Sequence, residues 1–250
     1  MVSAVERLVL SDVEVYPSAM ARLRLTQKEK QILNETVERY HRARDRHGDR
    51  IVLLRDADLP RLFTVHQREV LKKFASIDPR EYGFRGPYYG LHEPPRNLVA
   101  IRGQRYRRGK EREEKKVITQ YAPRHVADAW RELNGRMKEE IGKELLVVSG
   151  YRSPTYQLLV FVNSYVRNNG CSIARTARYV TLPGYSEHGN PARQALDFGT
   201  KRGTYNGHFS RTQEYRWLVR NAKQFGFMFS YPRNNKVGVA YEPWHWRYCG

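Results

Sequence analysis

The chain has few of the residues that would make it easy to classify. Among 250 residues there are two cysteines, Cys171 and Cys249, and no CxxC pair, which closes the cysteine route to a zinc site. The two can pair in an oxidising compartment or remain thiols. No HExxH occurs, so the helical two-histidine route to a catalytic zinc is closed as well. No segment reaches the roughly 18 apolar residues of a membrane-spanning helix. The opening MVSAVERLVLSDVEVYPSAM lacks a basic start followed by a long apolar run, so no signal peptide is visible. Either the protein works where it is made, or it leaves by another route, or the chain is not the full precursor. No internal repeat is visible. Acidic residues are in deficit, 26 against 45 Lys and Arg, for a net charge of +19. That excess favours an anionic partner: nucleic acid, a membrane surface or an anionic cell wall. Apolar residues make up 40% and aromatics 12%, enough to bury a core.

Periodicity then divides the chain. A short strand is predicted at Val13–Tyr16. Thr26 and Glu29 form a capping box before an amphipathic helix that Gly48 should end. Thr64 and Gln67 repeat the pattern before a helix to about Ser76. Strands are expected at Arg50–Arg55 and Leu98–Arg102. The dense charge run Arg102–Lys116 is expected as a solvated loop or helix end, or as a contact to polyanions. Val126, Trp130, Leu133, Met137 and Ile141 recur at helical spacing. The apolar run Leu145–Val148 suits a buried strand that delivers Ser149-Gly150-Tyr151-Arg152-Ser153, and Pro154 opens a new helix. A short helix at Ile173–Tyr179, a strand at Ala195–Phe198 and a helix at Arg211–Phe225 follow. Two strands, Phe227–Tyr231 and Val237–Tyr241, close the pattern. Helices come first and strands later, which makes α+β the natural class.

The end of the chain is unusual. A terminus is ordinarily frayed and polar. Here Tyr241-Glu242-Pro243-Trp244-His245-Trp246 is aromatic and carries a carboxylate and an imidazole three residues apart, so it should dock into the fold. A catalytic zinc usually takes three protein ligands and keeps one position open. His245 can be one of them, and His188 and Asp197 supply the others. Glu242 is near enough to act as base without binding the metal.

Three segments in order carry a resemblance: Ser149-Gly150-Tyr151-Arg152-Ser153, then Ser186-Glu187-His188 through Ala195-Leu196-Asp197, then Glu242-Pro243-Trp244-His245-Trp246. Together they resemble the zinc D-alanyl-D-alanine carboxypeptidases of the VanY-like group, within the LAS family of peptidoglycan peptidases. The resemblance covers about Pro123 to Gly250. It implies a zinc peptidase domain over 121–250 and does not cover residues 1–120, which the capping boxes and periodicity make a mainly helical N-terminal region. The implied fold is a small antiparallel sheet flanked by helices with the zinc site at the sheet, LAS/hedgehog-like. The family pattern is Ser-x-His-x-x-Gly-x-Ala-x-Asp. This chain departs from it: Asp197 is nine residues after His188 rather than seven, and Arg193 stands where the family has glycine. Two extra residues preserve the face of a strand, or they loop out.

The resemblance implies Zn2+ held by His188, Asp197 and His245, with metal-bound water as nucleophile and Glu242 as general base and acid. Arg152 would stabilise the developing oxyanion or clamp the substrate carboxylate, for which its donor fork suits it. Ser186 and Gln157 are candidate substrate contacts. The implied activity removes the terminal D-Ala of peptidoglycan stem peptides in the cell envelope, where anionic cell-wall polymers would meet the basic surface. Two other functions stay open: a lysin-like endopeptidase of the same family, and a non-catalytic basic protein that binds cell wall or nucleic acid.

Overall fold

The structure is a computed structural model and describes residues 23–108 and 113–250. The strand expected at Val13–Tyr16 lies outside those residues. The chain forms two compact units, interleaved in sequence. The first takes the described residues up to Glu93, with Arg152–Gly189 and Lys236–Val239. The second takes Pro94–Tyr151, Asn190–Asn235 and Ala240–Gly250.

The first unit is helical. Helix α1 (Gln27–His47) starts where the capping box places it: Thr26 Oγ1 accepts from the Glu29 N–H at 3.2 Å, and Glu29 Oε2 accepts from the Thr26 N–H at 2.9 Å. It buries Leu33, Val37, Tyr40 and Ala43. A short α2 (Leu59–Leu62) precedes α3 (Val65–Ala75), which has a capping box of its own at Thr64 and Gln67. Helix α5 (Pro154–Arg167) has Ser153 as its N-cap, and α6 (Ile173–Ala177) follows. The expected strand at Arg50–Arg55 is instead a 3-10 helix, Gly48–Leu53. Ile51, Val52 and Leu54 are all buried there. A strand needs a ladder partner, whereas a 3-10 turn lets neighbouring apolar residues pack inward together.

The second unit holds the sheets. Strands β1 (Leu98–Ile101) and β4 (Gln120–Pro123) pair antiparallel, as do β2 (Arg105–Arg108) and β3 (Glu113–Lys116). Within the charge run, Arg105–Arg108 and Glu113–Lys116 therefore pair as strands rather than forming a loop or helix end. Helix α4 (Arg124–Ile141) stops at Gly142, whose φ of 64° few other residues adopt at low cost. Strands β5 (Leu145–Ser149), β6 (Ala195–Thr200), β7 (Phe227–Phe229) and β8 (His245–Tyr248) form the main sheet. Its order is β5-β6-β8-β7, every pair antiparallel. Helix α7 (Gln213–Asn221) continues as a 3-10 turn, Ala222–Phe225. One core joins α4, α7 and this sheet through Val126, Leu133, Met137, Phe198, Trp217 and Trp246.

Val237–Tyr241 is not a strand. The place beside β7 is taken by His245–Tyr248, which lies between β6 and β7 and pairs with both. The aromatic end of the chain is thus an interior strand, which is why it is apolar. Among the described residues no helix is long and apolar enough to cross a membrane. Cys171 and Cys249 are both free and exposed.

Candidate metal centre

The main sheet brings Asp197 and His245 together. The register sets Asp197 on β6 directly opposite His245 on β8, and Ser149 on β5 opposite Asp197 on the other side. Directly opposed residues of an antiparallel pair project to the same face. His245 Nδ1 lies 2.9 Å from Asp197 Oδ1. On β5 the register shifts between Val147 and Ser149, an irregularity of the kind that re-aims side chains at a strand end. Gly150 follows. A Cβ there would stand 2.3 Å from the Tyr121 carbonyl oxygen, so the close approach of the two backbones requires glycine.

Glu242 reaches the same place through a turn. The His245 N–H donates to the Glu242 carbonyl at 2.9 Å, closing a four-residue turn with Pro243 second, where its fixed φ is favoured. The other carbonyls of the turn are satisfied too. Pro243 O accepts from Trp246 Nε1 at 3.0 Å, and Trp244 O accepts from the Phe198 N–H at 2.9 Å. The Glu242 N–H donates to the Tyr231 carbonyl at 3.2 Å. This geometry sets Glu242 Oε2 3.8 Å from His245 Nδ1, beside the Asp197–His245 pair. Trp246 locks the turn by stacking on Phe229, 5.3 Å between ring centroids. Tyr241, just before the turn, donates its hydroxyl to Tyr215 at 3.3 Å and lies under the Arg233 guanidinium at 4.3 Å.

His188 sits in a 3-10 turn, Glu187–Gly189, and is buried. Its N–H donates to Ser186 Oγ at 3.3 Å, and its carbonyl accepts from the Arg152 N–H at 3.0 Å. The residues that lengthen the His188–Asp197 spacing loop out before β6. Asn190 Oδ1 accepts from the N–H groups of Ala192 and Arg193 at 3.0 and 3.2 Å, and both of those residues are exposed. Arg193 therefore lies on a surface bend.

His188, Asp197 and His245 form a group that could hold a metal ion: all three are buried, and one ligand atom from each lies within 4.8 Å of the others. Two imidazoles and a carboxylate are a donor set of catalytic zinc. Zinc bonds of ~2.0–2.2 Å put tetrahedral ligand atoms roughly 3.4 Å apart, a spacing bracketed by the 2.9 Å between His245 and Asp197 and the 4.8 Å span of the group.

The remaining candidates lie around Arg152. Gln157 is buried; its amide nitrogen donates to the Thr181 carbonyl at 2.6 Å, and its oxygen faces Arg152 Nη1 at 3.5 Å. Ser186 is buried beside His188. Two residues escaped the sequence reasoning. The Tyr231 ring packs on His245, 4.7 Å between centroids and tilted 34°. Glu187 is a buried carboxylate that accepts from the Tyr89 hydroxyl at 3.2 Å. Glu187 had a signal, as the residue between Ser186 and His188. Tyr231 had none, because its partner is fourteen positions away and reached by sheet pairing.

The fold and the group together define an α+β protein with a buried His-Asp-His centre. Residues 119–250 match the family model VanY: D-alanyl-D-alanine carboxypeptidase, and the chain belongs to that family. The Bacillus subtilis (strain 168) protein YodJ is 36% identical over 141 residues, 55% of this chain and 50% of YodJ. VanXYC of Enterococcus gallinarum, a bifunctional D-Ala-D-Ala dipeptidase and D-Ala-D-Ala carboxypeptidase, is 32% identical over 136 residues, 52% of this chain and 68% of its own. Among solved structures, the LdcB LD-carboxypeptidase, solved for its peptidoglycan recognition, superposes with a TM-score of 0.51 at 31% identity, over 64% of this chain and 72% of its own. The chain thus spans half the length of YodJ and about two thirds of VanXYC.

Proposed function

We propose that this protein is a zinc-dependent D-alanyl-D-alanine carboxypeptidase that removes the terminal D-Ala from peptidoglycan stem peptides. The observation that carries the proposal is the His188, Asp197 and His245 group with Glu242 on the turn beside it. His188, Asp197 and His245 would hold the zinc. When bound, zinc polarises a carbonyl and lowers the pKa of water toward ~7. Glu242 is the proton carrier. Its carboxylate takes a proton from the water that adds to the scissile carbonyl carbon, and delivers it to the amine nitrogen of the departing D-alanine. One C–O bond forms, one C–N bond breaks and one water is consumed.

Arg152 binds the terminal carboxylate of the substrate, for which a guanidinium fork is matched. Gln157 orients that fork, and Ser186 lines the substrate side next to His188. The peptidase domain occupies 121–250, preceded by the N-terminal region 1–120. The work is done in the cell envelope, where the excess of Lys and Arg suits anionic wall polymers.

Mass spectrometry of a stem pentapeptide incubated with the protein, with and without chelator, tests the proposal. Loss of one alanine that chelator abolishes and zinc restores is expected. An internal cut in a cross-linked peptide would make the protein an endopeptidase. Trimming of the tetrapeptide alone would make it an LD-carboxypeptidase like LdcB. An unchanged peptide, with salt-sensitive binding to a polyanion, would make it a non-catalytic binder.

A further inference from the structure

We infer that the N-terminal region, residues 23–93, is the positioning frame for Arg152, with Tyr40 and Tyr156 as positioning residues; this rests on the assignment of Arg152 to the substrate carboxylate. Arg152 precedes α5 on an irregular stretch. Its own N–H donates to the His188 carbonyl at 3.0 Å. The next N–H, that of Ser153, donates to the Val52 carbonyl at 2.9 Å. Val52 belongs to the 3-10 helix after α1 and lies outside the matched residues 119–250. One of the two backbone anchors around the guanidinium's Cα therefore comes from the N-terminal region. Ser153 is buried, so without Val52 its N–H would lose its partner with no water to replace it.

Side chains repeat the pattern. The first turn of α5 carries Tyr156 and Gln157, and Gln157 faces Arg152. The Tyr156 ring stands 6.4 Å from the Tyr40 ring, tilted by 50°. Tyr40 is buried on α1. Burial drives its phenol well above the usual 10.0, Tyr156 adds to the rise, and the charges of Arg44 and Arg152 oppose it. Further along α5, His41 Nε2 lies 2.9 Å from Asn163 Oδ1, and Arg167 Nη2 lies 2.5 Å from Glu38 Oε1. Phe74 of α3 meets Phe161 and Tyr165 edge-on.

Apolar cover alone leaves a helix free to slide and rotate. Directional bonds at Ser153, Asn163 and Arg167 fix both motions. A carboxylate fork works only in a narrow range of position and angle, so its affinity depends on that fixation.

Tyr40→Leu and Tyr156→Leu each remove one ring of the pair. KM and kcat on the stem pentapeptide, bound zinc and Tm are measured for both, in the parent and in an Arg152→Lys background. The expected result is a KM raised about five-fold for one lost ring contact, with kcat and zinc unchanged, and no further rise in the Arg152→Lys background. An unchanged KM in both variants, while Arg152→Lys raises it, overturns the frame alone. An equal rise in both backgrounds does so too, because the effect then bypasses Arg152. If Arg152→Lys itself leaves KM unchanged, the carboxylate assignment falls and the frame with it.

Discussion

Glu242→Gln separates proton transfer from metal binding. The substitution keeps volume and replaces a carboxylate by an amide that accepts no proton at neutral pH. The turn survives, because the bonds that close it run through the backbone, from the Glu242 N–H to Tyr231 O and from the His245 N–H to Glu242 O. The metal group survives as well: Asp197 Oδ1 lies 2.9 Å from His245 Nδ1, whereas Glu242 Oε2 stands back at 3.8 Å. What is lost is the general base, a contribution of about 10²–10⁴ in rate, or roughly 3–5 kcal/mol in the barrier. The assay is D-alanine release from a stem pentapeptide under saturating substrate, with zinc content and Tm measured on the same preparation. Expected are a kcat lowered by about two to four orders of magnitude, one zinc retained and Tm little changed. Full activity would rule Glu242 out as proton carrier. Loss of zinc together with activity would make Glu242 a ligand and refute the division of labour.

Further outcomes follow from the same geometry. His188→Ala and Asp197→Ala should each weaken zinc binding by more than the roughly 10–100-fold that loss of an outer partner costs, read by chelator competition; intact binding in Asp197→Ala would mean another group has taken its place. Trp246→Phe removes the Nε1–H donor to Pro243 O and shrinks a buried ring, a loss of about 2–3 kcal/mol. In thermal melts that is a fall of about 4–12 °C. Tyr40 gives an alkaline signature. Its folded pKa lies above the unfolded 10.0, chiefly through burial. Its stabilising share is therefore complete below about pH 10 and lost as pH rises beyond, when the unfolded chain ionises first. Tyr40→Phe should flatten the alkaline limb of a stability profile, and an unchanged limb would refute the assignment.

Local chemistry was the most legible part of the sequence. Thr26 with Glu29 and Thr64 with Gln67 announce helix starts because the capping bonds span three residues. The run Leu145–Val148 reads as a buried strand, and Pro154 as a helix opening, on equally local grounds. The error at Arg50–Arg55 came from an apolar run that fits a strand or a tight turn equally well, with nothing local to arbitrate. The error at Val237–Tyr241 was one of competition. Two β-prone segments could pair with β7, and the ladder went to His245–Tyr248. The pairing of Arg105–Arg108 with Glu113–Lys116 was hidden because seven of those eight residues are charged, so no alternation of polarity marks the strands.

The sequence by itself determined the residue types of the candidate centre, their order along the chain and the three-residue spacing of Glu242 and His245. Those are properties of neighbours, and neighbours are readable. Only the tertiary structure decided that Asp197 and His245 face each other, that the lengthened spacing after His188 is absorbed by a bend at Asn190, and that Tyr231 covers the imidazole. The reason is register. A one-residue slip in an antiparallel sheet turns every side chain to the opposite face. What fixes the register of β6 against β8 is the packing of Phe198, Phe227 and Trp246 in a core assembled from the whole second unit.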